Sequence, residues 1–118
     1  MKRRRTVLVI AAIVWLVVFF VVPESPLVPV AGASTADWNR KSFWYEPWGK
    51  SGVHKGIDIF ASKGTNVLAP TYGLIVFRGT IALGGNVVVL LGPKLRLHYF
   101  AHLESADVGP GHPRIRLE

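Results

Sequence analysis

An imidazole and a carboxylate flank a glycine in residues 51–60 (SGVHKGIDIF), the stretch whose residue types are best suited to chemistry. His54 and Asp58 are both ligand types that Zn²⁺ accepts, and a catalytic zinc site combines three protein ligands with a water. Four residues of extended strand span about 13 Å, so a shared metal requires His54 to lie in a loop or bend. Gly56 can supply that bend, or leave room for a metal or backbone to approach. A solvated surface loop is the alternative that this spacing alone leaves open.

Short β-prone runs separated by glycine- and proline-containing turns make up the rest of the carboxy-terminal half, which is typical of an antiparallel meander. His98 and His102 share a parity at the end of the last run and are therefore expected on one face. Histidine suits proton transfer near neutral pH, and an exposed edge-strand position is the other interpretation. The predicted strands are residues 57–59, 65–69, 74–78, 86–91 and 95–101.

The amino end is organised differently, because residues 6–22 carry no charge and follow the basic residues 2–5. Seventeen helical residues reach roughly 26 Å, close to the hydrocarbon thickness of a bilayer. The positive-inside rule then places the amino end in the cytoplasm and the remainder outside. We expect an uncleaved anchor; the alternatives are a signal peptide cut after Ala33 and a buried core helix.

A proline-rich stretch, residues 23–35, follows this segment and predicts an extended spacer. Five aromatic residues then lie close together in the sequence. They could form a sugar- or peptide-binding platform. Alternatively, the rings wrap the rim of a small core or lie at a membrane interface. They are Trp38, Phe43, Trp44, Tyr45 and Trp48.

Composition limits the remaining possibilities. The 118 residues allow one domain besides the apolar segment, and the absence of cysteine excludes disulfides, thiolate metal sites and cysteine nucleophiles. The net charge of +7 includes four cationic residues at positions 2–5, which leaves a surplus of three over the rest of the chain. So small a scattered surplus argues against nucleic acid as a partner.

Taken together, HKGID, GTNVLAP, the glycine-rich turn with GGN and the run YFAHL resemble the lysostaphin-type (LytM-type) zinc endopeptidases, which cut peptide cross-links in bacterial cell walls. The resemblance covers about residues 49–109. It implies a compact antiparallel β-sandwich or barrel-like fold with a groove for peptidoglycan peptides. It also implies that His54 and Asp58 are the first two zinc ligands, and that His102 assists catalysis beside the metal.

The family pattern ends with a His-x-His element whose second histidine is the third zinc ligand, and residues 1–118 contain no such element. His112 is followed by Pro113 and Arg114, and the tail alternates arginine with aliphatic residues, which favours a carboxy-truncated form. His112 or Glu118 as a substitute ligand lacks the outer-shell support that metal ligands need.

We therefore predict a mainly β protein: a small, incomplete antiparallel sheet preceded by one transmembrane helix. The predicted function is that of a membrane-anchored zinc endopeptidase-like protein acting on peptidoglycan cross-links, at the bacterial inner membrane with its domain in the periplasm. The alternative is a non-catalytic peptidoglycan-binding or regulatory module. The predicted divisions are a cytoplasmic tail (1–5), the anchor (6–22), the spacer and aromatic segment (23–48) and the partial peptidase domain (49–118).

Overall fold

The computed structural model of the chain describes residues 2–105 and, as backbone, residues 114–117. The described part is mainly β, with an amino-terminal helix and two antiparallel sheets, which confirms the predicted fold class. The helix α1 spans Lys2–Val21, and the strands are β1 (Trp38–Asn39), β2 (Asp58–Ile59), β3 (Asn66–Leu68), β4 (Leu74–Ile81), β5 (Gly85–Leu91), β6 (Leu97–Ser105) and β7 (Arg114–Leu117).

Helix α1 is long and apolar enough to cross a membrane. Its segment Arg3–Val21 has a mean hydropathy of 2.2, and none of that stretch is buried inside the protein. At 1.5 Å per residue the 20-residue helix is about 30 Å long. The exposure disfavours a core helix, whereas a membrane span and a signal sequence both meet these criteria.

Residues 23–35, expected to be a spacer, lie against the larger sheet. Val30 is 6 % exposed and forms an isolated antiparallel bridge with Val67 of β3. The Leu68 amide donates to the Pro29 carbonyl at 2.7 Å, so the chain before Ala31 extends the edge of the sheet. Proline is tolerated at such an edge because the missing N–H faces away from the pairing partner.

A cluster of charges joins the end of α1 to the turn after β5. The Glu24 carboxylate lies 3.3 Å from Arg96 Nη1 and 3.9 Å from Lys94 Nζ. The Glu24 side chain is only 7 % exposed, and both cations are largely exposed. A carboxylate this buried requires such partners, so these pairs hold the residues that follow α1 onto the domain.

The larger sheet has the order β3-β7-β6-β5-β4, and all its neighbours are antiparallel. Strands β4, β5 and β6 form the predicted meander. Strand β3 does not pair with β4, the next strand in the chain. The two lie at opposite edges of the sheet, and β7 lies between β3 and β6. Residues 114–117, in the tail that looked like the end of a truncated frame, thus occupy an interior position of the sheet.

A hydrophobic core cluster joins four strands of this sheet. Val67, Val88 and Leu103 are each at most 2 % exposed and pack together, and the partly buried Ile75 and Phe100 pack against them. These residues come from β3, β4, β5 and β6, so the cluster joins strands distant in sequence. Burial of such side chains contributes about 1.5–3 kcal/mol each.

A capped turn leads into the smaller sheet. Ser34 caps the one-turn 3₁₀ helix Thr35–Asp37 in a capping box, in which its hydroxyl accepts from the Ala36 amide. The Ser34 backbone amide and then its hydroxyl donate to the Asp37 carboxylate and hold the pKa of Asp37 below its ordinary value. The Asp37 carbonyl accepts from the Phe60 amide at 2.9 Å, so the turn is tied to the end of β2.

Candidate metal centre

His54 lies in an irregular loop, as the spacing predicted. Its carbonyl accepts from the Trp44 amide at 2.7 Å and its amide donates to the Tyr45 carbonyl at 3.0 Å. The imidazole packs against the Trp48 indole, with ring centroids 4.6 Å apart and planes inclined by 50°. The aromatic segment therefore positions this histidine through both its backbone and a ring contact.

Most rings of the aromatic segment are largely exposed. The side chains of Phe43, Trp44 and Tyr45 are each 56 % exposed, and Trp48 is 40 % exposed. Of the five aromatic residues, only Trp38 is half-buried.

Asp58 is positioned by the smaller sheet. Strands β1 and β2 pair antiparallel, with Asn39 opposite Asp58 and Trp38 opposite Ile59. The Asp58 side chain is 45 % exposed, so its carboxylate is accessible to a metal ion.

The two side chains meet in space as well as in sequence. His54 Nε2 lies 3.8 Å from Asp58 Oδ1. Zinc–nitrogen and zinc–oxygen bonds of about 2.0–2.2 Å in a tetrahedral site place two ligand atoms roughly 3.4 Å apart, so a small side-chain adjustment fits both atoms to one zinc ion. A Cβ added to Gly56 would lie 3.4 Å from His54 Nε2. The chain bends at Gly56 without the positive φ that favours glycine, so this residue mainly leaves space beside the nitrogen.

Ser42 contacts both members of the pair and was missed from the sequence. His54 Nδ1 lies 2.7 Å from the Ser42 carbonyl oxygen, which can only accept, so Nδ1 carries the proton and Nε2 faces Asp58. The Ser42 hydroxyl accepts from the Asp58 amide at 2.9 Å. No local signal in the sequence connects position 42 with positions 54 and 58, because the contact depends on how the intervening loop folds.

His102 reaches the same region through a β-bulge in β6. The register changes between the pairs Val88–Phe100 and Asn86–Leu103, which leaves an extra residue in β6. His102 adopts the left-handed region with φ of +57°, and its amide donates to the Gly84 carbonyl at 2.7 Å. Bulges of this kind redirect a side chain.

A cavity of about 440 Å³ connects these three side chains. His54 and Asp58 line it together with His102, and apolar residues from three parts of the chain complete its wall, among them Val30, Phe60 and Tyr99. His98 does not line it. Its buried Nε2 faces Gly92 and makes no hydrogen bond with the described residues, so the bulge breaks the alternation that had placed His98 and His102 on one face.

A third ligand is not found in this part of the chain. Among residues 2–105, no group of three or more His, Cys, Asp or Glu side chains is arranged to hold a metal ion. His112 and Glu118, considered above as substitute ligands, lie outside the described residues.

The family model described as peptidase family M23 matches residues 52–113, just over half of the chain, and the match contains His54, Asp58 and His102. The chain belongs to peptidase family M23. This confirms the lysostaphin-type resemblance. Peptidases of family M23 are generally zinc-dependent, which agrees with the histidine–carboxylate pair.

A curated relative of this M23 chain is the L-Ala–D-Glu endopeptidase of Bacillus subtilis (strain 168). The two are 35 % identical over 75 residues, which is 62 % of this chain and 23 % of the relative. The M23 chain thus spans less than a quarter of that relative's length. No solved structure matches the chain.

Proposed function

We propose that this chain is a membrane-anchored, zinc-dependent endopeptidase-like protein that acts on peptide cross-links of peptidoglycan. Membership of family M23 and the similarity to an L-Ala–D-Glu endopeptidase support a peptide substrate of this class. The observation that carries the proposal is the approach of His54 Nε2 to Asp58 Oδ1, 3.8 Å apart on the wall of a cavity that His102 also lines.

In this proposal His54 and Asp58 hold the zinc ion and His102 handles protons. When bound, zinc supplies a Lewis acid for hydrolysis of the peptide bond. An imidazole nitrogen of His102 accepts a proton from the attacking water as the water oxygen bonds to the carbonyl carbon. The same nitrogen returns that proton to the leaving amine as the C–N bond breaks, which leaves a carboxylic acid and an amine. The apolar wall around Val30 and Tyr99 offers a surface on which a short peptide segment binds.

Replacement of His102 by alanine is expected to slow cleavage about 10²–10⁴-fold, the usual contribution of a positioned acid–base group. Zinc content is expected to stay unchanged, because His102 is not one of the two proposed ligands. The measurement is release of new amino termini from purified peptidoglycan by the full, zinc-loaded chain in detergent micelles.

The matched control is His98→Gln, which changes a histidine of the same strand that does not line the cavity. Its cleavage rate is expected to stay within about threefold of the wild-type rate. Equal rates for wild type and His102→Ala would remove His102 from the mechanism.

A second function, a non-catalytic peptidoglycan-binding module, is favoured by one observation. Strand β7, next to β6, has the sequence Arg-Ile-Arg-Leu, whereas the family pattern carries His-x-His on a later strand. Wall binding by the wild-type chain with no cleavage in the presence of zinc would select this function over the peptidase.

We propose further that α1 is retained as an inner-membrane anchor, with the domain on the periplasmic side. The basic residues 2–5 at the amino end of α1 support this orientation. Retention is supported by the packing of Val30 and by the hydrogen bond from the Ala31 amide to the Asn66 carbonyl at 3.0 Å. Cleavage after Ala33 would release these residues from the chain.

Single-cysteine labelling tests the orientation cleanly, because the natural chain contains no cysteine. A membrane-impermeant maleimide added to intact spheroplasts is expected to label Lys63→Cys, which is exposed on the domain, but to label Arg3→Cys only after lysis. The labelled product is expected at full length. Labelling of position 3 before lysis, or a product shortened by about 33 residues, would contradict the anchor.

A further inference from the structure

Ser42 is a buried polar residue beside the pair, at 5 % exposure. A buried hydroxyl is costly unless it is hydrogen-bonded. This one both donates, to the Asn39 carbonyl at 2.7 Å, and accepts, from the Asp58 amide at 2.9 Å. It therefore joins β1 to β2 at the position of the carboxylate.

The backbone of Ser42 serves the other partner. Its carbonyl accepts from His54 Nδ1–H at 2.7 Å, and its amide donates to the Asn39 carbonyl at 3.0 Å. The carbonyl thus fixes both the ring orientation and the tautomer that leaves Nε2 directed toward Asp58. Ser42 is therefore bonded to the His54 ring and to the Asp58 backbone amide.

We infer that Ser42 is a positioning residue that holds His54 and Asp58 in the geometry for binding a divalent metal ion. This inference rests on the proposed function, in which these two residues are ligands. Ser42 itself donates no atom to the metal. Its hydroxyl sets the place of the Asp58 backbone, and its carbonyl sets the His54 ring, so loss of the hydroxyl loosens the attachment of β2 to residues 39–42.

The first test is made on the metal-free full chain in micelles. In the wild type, ¹H–¹⁵N spectra are expected to show His54 in the Nδ1–H tautomer and an Asp58 amide protected from exchange. In Ser42→Ala the Asp58 amide is expected to exchange at least about tenfold faster. Ser42→Thr, which keeps the hydroxyl, is expected to recover most of the protection.

The second test is zinc affinity, measured by competition with a chromophoric chelator. Loss of an outer-shell partner typically costs about 10–100-fold in metal affinity, and that is the weakening expected for Ser42→Ala. The matched control is Ser62→Ala, an exposed serine whose carbonyl, rather than its hydroxyl, accepts bonds from Thr65. Its affinity is expected to equal that of the wild type.

The outcomes separate the two proposals. A wild-type chain that binds no zinc would refute the metal site, whereas the metal-free spectra would still decide whether Ser42 positions the pair. Wild-type protection of the Asp58 amide in Ser42→Ala, or equal zinc affinities of Ser42→Ala and Ser62→Ala, would overturn the positioning role. If Ser42→Ala fails to fold, Ser42→Thr and Ser42→Gly are compared in the same way, with the weaker affinity expected for glycine.

Discussion

Zinc binding by the full chain is expected to weaken by more than about a hundredfold when His54 is replaced by alanine, which exceeds the effect usual for an outer-shell partner. The variant removes a nitrogen that lies 3.8 Å from Asp58 Oδ1 and faces the space beside Gly56. Asp58→Asn is expected to weaken binding to a similar extent, because the amide retains the shape of the side chain but loses the negative charge that attracts the Zn²⁺ ion. Both effects are measured on metal-stripped protein by chelator competition.

His98→Gln is the control for this experiment, since His98 does not line the cavity. It also shows whether loss of a histidine outside the cavity changes the zinc affinity. A chain that binds one equivalent of zinc with unchanged affinity after His54→Ala would show that the pair is not the metal site. Circular dichroism of each variant establishes that the comparison is made between folded proteins.

Leu103→Ala is expected to lower the free energy of unfolding by about 2–5 kcal/mol, the range for removing a fully buried leucine. Leu103 is fully buried and packs with Val67 and Val88, which come from strands distant in sequence. Since domains are typically stable by only 5–15 kcal/mol, this change removes a large share of the stability. The measurement is chemical denaturation of the chain in micelles, followed by tryptophan fluorescence.

The matched control is Leu97→Ala in the same strand, whose side chain is 65 % exposed. Its effect is expected to stay within about 0.5 kcal/mol, as for most surface changes. Equal effects of the two variants would mean that Leu103 does not belong to the core cluster. Leu103 also adjoins His102 in the bulge, so a partly folded Leu103→Ala protein is expected to lose cleavage as well as stability.

The strand pattern shows how far local sequence information extends. The runs predicted at 65–69, 74–78, 86–91 and 95–101 correspond to β3, β4, β5 and β6 with shifted ends, because β-branched runs bounded by glycine and proline specify strands locally. The position of β7 between β3 and β6 was not predicted. Its neighbours are chosen by long-range pairing, which the alternation of arginine and aliphatic residues does not encode.

The two histidines of β6 illustrate the limit of period-two reasoning. Strict alternation put His98 and His102 on one face, whereas the bulge after Phe100 directs only His102 to the cavity. Its left-handed backbone is sustained by the hydrogen bond between the His102 amide and the Gly84 carbonyl. No feature of YFAHL itself specifies that contact, because the partner belongs to the turn between β4 and β5.

The sequence by itself determined the family, the β-rich class and the apolar helix, and it predicted the pair His54 and Asp58, since each depends on composition or on short spacing. Only the tertiary structure decided that residues 23–35 dock on the sheet, that a bulge delivers His102, and that Ser42 supports both members of the pair. These contacts join residues 12 or more positions apart. They form because packing of the core brings the segments together. Local residue preferences do not specify such long-range contacts.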